Sequence, residues 1–220
     1  MAKFSAKSQG LSKLRTEYRA ATLNRPDLHE SPFEQFKMWL NAAITAQLTE
    51  PHAMTLATAT AAGLPSARTV LLRGFDEEGF VFYTNYESQK GRELAENPQA
   101  ALVFFWAELE RQIRIVGAVE KISAPESERY FQSRPRGSRL GAWASQQSQV
   151  ISSRTVLENR LEALEVEYKD RDIPCPSFWG GFRLCAESIE FWQGRPSRLH
   201  DRFRYTKQPD RSWLIERLSP

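Results

Sequence analysis

The sequence predicts an α+β fold, a mostly antiparallel β-barrel with helices packed outside it. Five β-rich runs of period two follow one another between residues 53 and 122, and their mostly short connections favour antiparallel neighbours. Helical patterning is confined to the flanking segments and one short insertion. Three more β-rich runs close the chain between 182 and 219. At 220 residues the chain suits one domain and can bury a full core without metal or disulfide support.

Residues 1–10 read as disordered, and LSKLRTEYRAATL at 11–23 carries a helix-like stripe of Leu11, Leu14 and Tyr18 suited to docking. A helix should follow Ser31-Pro32, with Ser as N-cap, Pro at the first helical position, and Phe33, Phe36, Met38, Leu40 and Ile44 as its apolar residues. The period then changes to two. AMTLATAT, SARTVLLRGF, GFVFYTNY, AALVFFWAEL and RQIRIVGAVEKI are successive strands, separated by AAGLP, DEEG, the short helix SQKGRELAENP and a tight turn near Glu110. These five are expected to close on themselves as a barrel. APESERYFQSRP, with Pro125 and Glu126 at its start, and SSRTVLENRLEALEVEYKD read as helices. FRLCAESIEFWQ, SRLHDRFRYT and SWLIERLS read as the closing strands.

Composition narrows the function. Residues 1–25 hold six Lys or Arg against one acid, a local +5 that leaves −2 elsewhere from the total of +3. The basic excess therefore sits on a tail of residues 1–20, a flexible arm ahead of one domain at 21–220, and not on a folded nucleic-acid face. The aromatic residues lie mostly within apolar strand runs, which reads as core and not as base-stacking surface. Two cysteines, Cys175 and Cys185, read as ordinary thiols. The opening segment lacks an apolar signal region, and the longest apolar run, ALVFFWA, is too short to cross a bilayer, so the expectation is a cytoplasmic protein without membrane contact.

Neither GxGxxG nor GxxxxGK[ST] occurs, and His29, His52 and His200 lack neighbours for a metal cluster. What remains is a series of short polar clusters. RTVLLR at 68–73 brackets four β-formers with arginines of opposite parity, so one must lie at the strand's end; taken alone, a solvated strand end is its default reading ahead of a site. Thr84, Ser88 and Lys90 lead from a strand into a helix start, either an anion seat or a plain N-cap. Tyr130, Arg134 and Ser138 would share one helical flank, as a phosphate clamp or a solvated face. In FWQGRPSRLHDRF at 191–203, an extended chain would put Trp192, Arg198, His200 and Arg202 on one face, a cationic wall that calls for an anion.

Taken in order, with EFWQG followed by RLHDRF and with SFWGGFRL at 177–184, these clusters resemble the pyridoxine (pyridoxamine) 5′-phosphate oxidase family from LRTEY to the terminal WLIERLSP. The resemblance implies an FMN-binding split β-barrel, a homodimer with FMN between subunits, and oxidation of pyridoxamine or pyridoxine 5′-phosphate by O₂. It implies FMN contacts from Arg68, Thr69, Val70, Leu71, Leu72 and Arg73, from Tyr83, Thr84, Gln89, Lys90 and Gln112, and across the dimer from Gln147, Ser148, Trp192 and Arg202. It implies substrate contacts from Arg73, Tyr130, Arg134, Ser138, Arg198 and His200, with Arg198 and His200 catalytic, and from an N-terminal segment including Arg15 and Tyr18. Arg73 and Gln89 depart from the family's commoner Lys and Arg. No metal is implied. The competing reading is a non-catalytic flavin-binding split barrel, which has no need of RLH or of the Tyr130, Arg134, Ser138 clamp.

Overall fold

The structure, a computed structural model, describes Leu14 and residues 17–220. Helix α1 (Pro32–Thr45) begins as expected: Ser31 Oγ accepts the Glu34 N–H at 3.4 Å, and Pro32 occupies the first turn, where its missing N–H costs nothing. Its buried face is Phe33, Phe36, Trp39, Leu40 and Ala43. Met38 and Ile44, expected in that stripe, are mostly exposed, because spacings of three and four from Phe33 and Phe36 select Trp39, Leu40 and Ala43 instead. No helix is found over 17–23, where the chain is irregular.

The strands are β1 (Ala53–Ala59), β2 (Pro65–Leu71), β3 (Gly74–Asp76), β4 (Gly79–Asn85), β5 (Gln99–Trp106), β6 (Arg111–Lys121), β7 (Trp179–Gln193), β8 (Asp201–Lys207) and β9 (Trp213–Leu218). Helices α2 (Gln89–Glu96), α3 (Ala124–Ser133), α4 (Arg136–Ala144) and α5 (Thr155–Glu167) fill the connections. The run 66–75 is two strands, not one. Leu72 N–H still donates to His52 O beside β1, at 2.9 Å, whereas Arg73 N–H donates to Val81 O on β4, at 2.8 Å, so the backbone changes partner between these two residues.

All strand pairs are antiparallel, and the main order is β2-β1-β5-β6-β7-β4-β3, with β8 on β7 and β9 on β8. The two ends of this order, β2 and β3, are joined by Leu72 and Arg73 alone, so the sheet curls until its ends meet as a split barrel. The first five runs do not close on themselves. β7, 15 residues long, stands between β6 and β4 and also pairs with β8. A bulge at Val116/Gly117 bends this ladder, and a Cβ on Gly117 would lie 2.0 Å from Cys185 O, so only glycine allows the approach.

Helix α1 fills the concave side. Phe36 is fully buried and meets Phe75, Phe80 and Phe104 edge-on at 4.8, 5.0 and 5.1 Å between ring centroids. A second, smaller core of Phe131, Leu140, Ile173 and Trp179 joins α3, α4 and the start of β7, with Leu161 and Leu164 of α5 against it. Among the described residues no helix is long and apolar enough to cross a membrane.

Candidate active site

A cavity of about 490 Å³ opens between β2, β4 and the corner of α3 and α4. Arg68, Thr69, Val70, Leu71 and Arg73 line one side; Tyr83, Thr84, Asn85 and Lys90 line the next; Tyr130, Arg134, Ser138 and Gln147 complete it. Trp179, Gly141, Ala142 and Ser145 also line it. Among the described residues its walls hold four cationic side chains, Arg68, Arg73, Lys90 and Arg134, and no carboxylate.

The local folding that places them is simple. Ser88 caps α2, its buried Oγ accepting the Gly91 N–H at 3.3 Å and donating to Asn85 O at 2.7 Å. That cap turns Lys90 inward, where its Nζ is hydrogen-bonded to Gln147 Oε1 at 2.9 Å, Thr84 Oγ1 at 3.2 Å and Ser88 Oγ at 3.3 Å. All three partners are neutral. Burial, then the Arg68 charge, lowers the Lys90 pKa to about 8, with Glu93 opposing. Arg68 is held differently: Nη1 donates to Thr58 Oγ1, and Nη2 donates to Ser66 Oγ and to Glu93 Oε2, the latter at 3.3 Å. Glu93 is buried, and hydrogen bonds from Ser66, Thr58 and Gln89, with the Arg68 charge, outweigh desolvation and bring its pKa down to about 2. Replacing Ser88 by Ala should therefore cost about 1–2 kcal/mol, as the cap and one Lys90 contact go together, seen as a lower urea midpoint at unchanged slope.

At the other end of the cavity the chain breaks at Arg134, which adopts an extended conformation because it precedes Pro135. Tyr130 and Ser138 thus lie on separate helices, not on one flank, and the corner between α3 and α4 turns both toward the cavity. Among the described residues, none of the ion pairs includes Lys90, Arg73 or Arg134. Arg134 Nη1 is buried with no hydrogen-bond partner among the described residues, and burial lowers the pKa of this guanidinium. Buried cations without counter-charges are costly, and an anionic ligand removes that cost.

Other expected residues lie elsewhere. Leu72 is buried in the core, and Gln89 turns away to donate to Glu93 Oε1 at 2.9 Å. Gln147 and Ser148 sit beside Lys90 and Gln89 of the same chain, Ser148 Oγ accepting the Gln89 N–H at 3.1 Å. Arg15 lies outside the described residues. The stretch 191–203 is not one extended wall: β7 ends at Gln193, Pro196–Arg198 form a 3₁₀ turn with Ser197 and Arg198 left-handed, and β8 begins at Asp201. Pro196 and the turn reverse the chain, so Trp192 faces Arg202 as a cross-strand pair rather than a same-strand neighbour.

This hairpin end forms a second cluster. Trp192, His200 and Tyr18 pack at centroid separations of 4.5 to 5.7 Å, and Gln112 pairs with Trp192 from β6. His200 Nδ1 accepts the Arg195 N–H at 3.2 Å, so the neutral ring carries its proton on Nε2. Burial, then the charges of Arg198 and Arg202, lowers the His200 pKa. Arg202 donates to Glu190 Oε1 at 2.8 Å and to Ser219 O at 2.9 Å. Sequence reasoning missed Asn85, Glu93 and Trp179; of these Asn85 and Glu93, both within the polar stretch from Thr84 to Glu93, had a polar signature to find.

The profile of the family described as "Pyridoxamine 5'-phosphate oxidase" matches residues 40–168, and that of "Pyridoxine 5'-phosphate oxidase C-terminal dimerisation region" matches 179–220. The chain is 59% identical over 210 residues to a "Pyridoxine/pyridoxamine 5'-phosphate oxidase" of Trichormus variabilis, covering 96% of this chain and 98% of that one. It is 58% identical over 212 residues to the same-named protein of Burkholderia lata, covering 96% and 99%. Among solved structures, PhzG from Burkholderia lata, in complex with tetrahydrophenazine-1-carboxylic acid, superposes with a TM-score of 0.85 at 31% identity over 90% of this chain and 98% of its own. An FMN-binding protein from Nostoc punctiforme shares the fold, with a TM-score of 0.69 at 19% identity over 88% of this chain and all of its own.

Proposed function

This chain belongs to the pyridoxamine 5′-phosphate oxidase family, and from that premise we propose that it is an FMN-dependent oxidase. It converts pyridoxamine or pyridoxine 5′-phosphate to pyridoxal 5′-phosphate with O₂, releasing hydrogen peroxide; from the amine, water hydrolyses the resulting imine to the aldehyde and releases ammonia. The observation that carries this reading is the cavity with four cations and no carboxylate in its walls. Both FMN and the vitamin end in a phosphate, so two separated cationic pairs are required. Arg68 with Lys90 forms one, and Arg73 with Arg134 the other, the charges of each pair acting on one another.

The residues present fit FMN. Lys90, Arg68 and Thr84 hold its phosphate, Lys90 exchanging neutral acceptors for an anion. Thr69, Val70 and Leu71 supply a strand wall for the ring system. Bound FMN supplies two-electron oxidation of a substrate carbon, with O₂ as final acceptor. Tyr130, Arg134, Ser138 and Arg73 grip the substrate phosphate and thereby orient the ring. The Trp192, Arg198, His200 and Arg202 cluster falls inside the region matched as a dimerisation region, which supports a homodimer in which Trp192 and Arg202 of the partner subunit close the flavin site. His200 there offers an Nε2–H as hydrogen-bond donor to a polar group of the substrate, not a free base, because its Nδ1 is already engaged.

Purified protein should be yellow, and its flavin bands should bleach when pyridoxamine 5′-phosphate is added without oxygen. A flavin that binds and is never reduced would replace this reading by the non-catalytic one.

A further inference from the structure

We infer that Trp179 is a positioning residue that selects phosphorylated substrates by clamping Arg134, an inference that rests on the substrate-phosphate role proposed above. The Arg134 guanidinium lies over the Trp179 ring, its Cζ 4.7 Å from the centroid, and 5.7 Å from that of Phe131. It has no ion pair among the described residues, and its buried Nη1 has no hydrogen-bond partner. A long, flexible cation thus owes its place in the cavity to an aromatic face and not to a carboxylate. That choice has a chemical consequence. A carboxylate partner would satisfy the guanidinium and compete with a phosphate, whereas a π face holds the cation and leaves its N–H donors for a phosphate monoester.

Trp179 is suited to this because it cannot move with its guest. It is the first residue of β7, 8% exposed, pairs with Asn85 of β4, and stacks at 14° and 6° on Tyr83 and Tyr130, with Phe131 edge-on at 5.1 Å. The glycine two residues on lets the strand press against this wall: a Cβ on Gly181 would lie 2.9 Å from Tyr83 Cε1. The platform is therefore held by packing on several sides, which fixes where its ring face meets the guanidinium.

The test is a double-mutant cycle on the flavin-loaded enzyme with pyridoxamine 5′-phosphate as substrate. Trp179→Leu should raise KM about fivefold or more with kcat and flavin content nearly unchanged, and Trp179→Phe should fall between it and the wild type, following the strength of the ring face. In an Arg134→Ala background, itself raised at least about tenfold in KM, neither change at 179 should raise KM further. An unchanged KM in Trp179→Leu, or an equal rise in both backgrounds, overturns the proposal. If the Leu variant does not fold, the Phe variant run through the same cycle decides by the same criterion. An unchanged KM in Arg134→Ala alone would instead overturn the phosphate seat on which the inference rests.

Discussion

Replacing Lys90 by Met should weaken FMN binding to the flavin-free protein by about tenfold to a hundredfold, the 1.5–3 kcal/mol of a buried charge-assisted contact, while riboflavin binding changes little. Lys90 is buried among neutral acceptors, so its charge is available to an anion, and Met fills a similar volume without adding a polar orphan. The pH dependence follows from the lowered pKa. Below about pH 8 the free amine is protonated and the seat is fully charged; as pH rises through that value the proton leaves and the seat loses one positive charge. Wild-type affinity for FMN should therefore fall above about pH 8, by up to tenfold per pH unit until the bound form also titrates. Lys90→Arg, which keeps its charge, should show no such fall. Fluorescence titration across pH 6.5 to 9.5 reads all three proteins, and an unchanged preference of Lys90→Met for FMN over riboflavin would place the phosphate elsewhere.

The second large effect separates three neighbours on one hairpin. Arg198→Ala and His200→Ala should purify as folded, yellow protein with kcat/KM lowered at least about tenfold, a loss near 1.4 kcal/mol in the transition state. Arg202→Ala should lose its flavin on dialysis. The structure makes this last change clean. Glu190, the buried carboxylate that Arg202 binds, is also bonded to Arg114 at 2.6 Å, so removing Arg202 does not strand a buried charge. If these side chains were only solvated turn residues, each loss would cost within about 0.5 kcal/mol of stability and nothing in turnover. Three variants with full flavin and normal rates would remove the hairpin from the active site.

Much of the architecture was legible because local chemistry and global fold agree. Ser31-Pro32 marked the start of α1, the period-two runs marked the strand region 53–121 apart from the break between β2 and β3, and the opposite parity of Arg68 and Arg73 put one of them at a strand end, which in the structure is Arg73 between β2 and β3. The misses share a cause, which is tertiary context. Helix α4 was not read because Gly137 and Gly141 weaken its intrinsic propensity and Pro135 reads as a stop; packing of Leu140 and Ala144 supplies what propensity lacks. The run 191–203 has a plausible alternation when extended, and only the reversal at Pro196 shows that Trp192 and Arg202 meet across strands. Trp179 entered the sequence reading only as part of SFWGGFRL, with no role, because the residues it meets, Tyr83 and Arg134, are both more than 40 residues away in the chain.

The long β7 also sets the order in which a nascent chain can become a barrel. β1, β2, β5 and β6 can pair as soon as they leave the ribosome, since each finds a partner nearby in sequence. β4 cannot: apart from the three residues of β3 its partner is β7, with Phe80 facing Leu184 across more than a hundred residues, and the free edge of β6 waits for the same strand. Two open strand edges, one carrying Phe80 and Phe82, thus persist until synthesis reaches the last fifth of the chain. The interval is one in which edge-to-edge association competes with folding, and arresting synthesis before residue 179 should yield chains that a holdase chaperone retains, and extension past 193 chains that it releases.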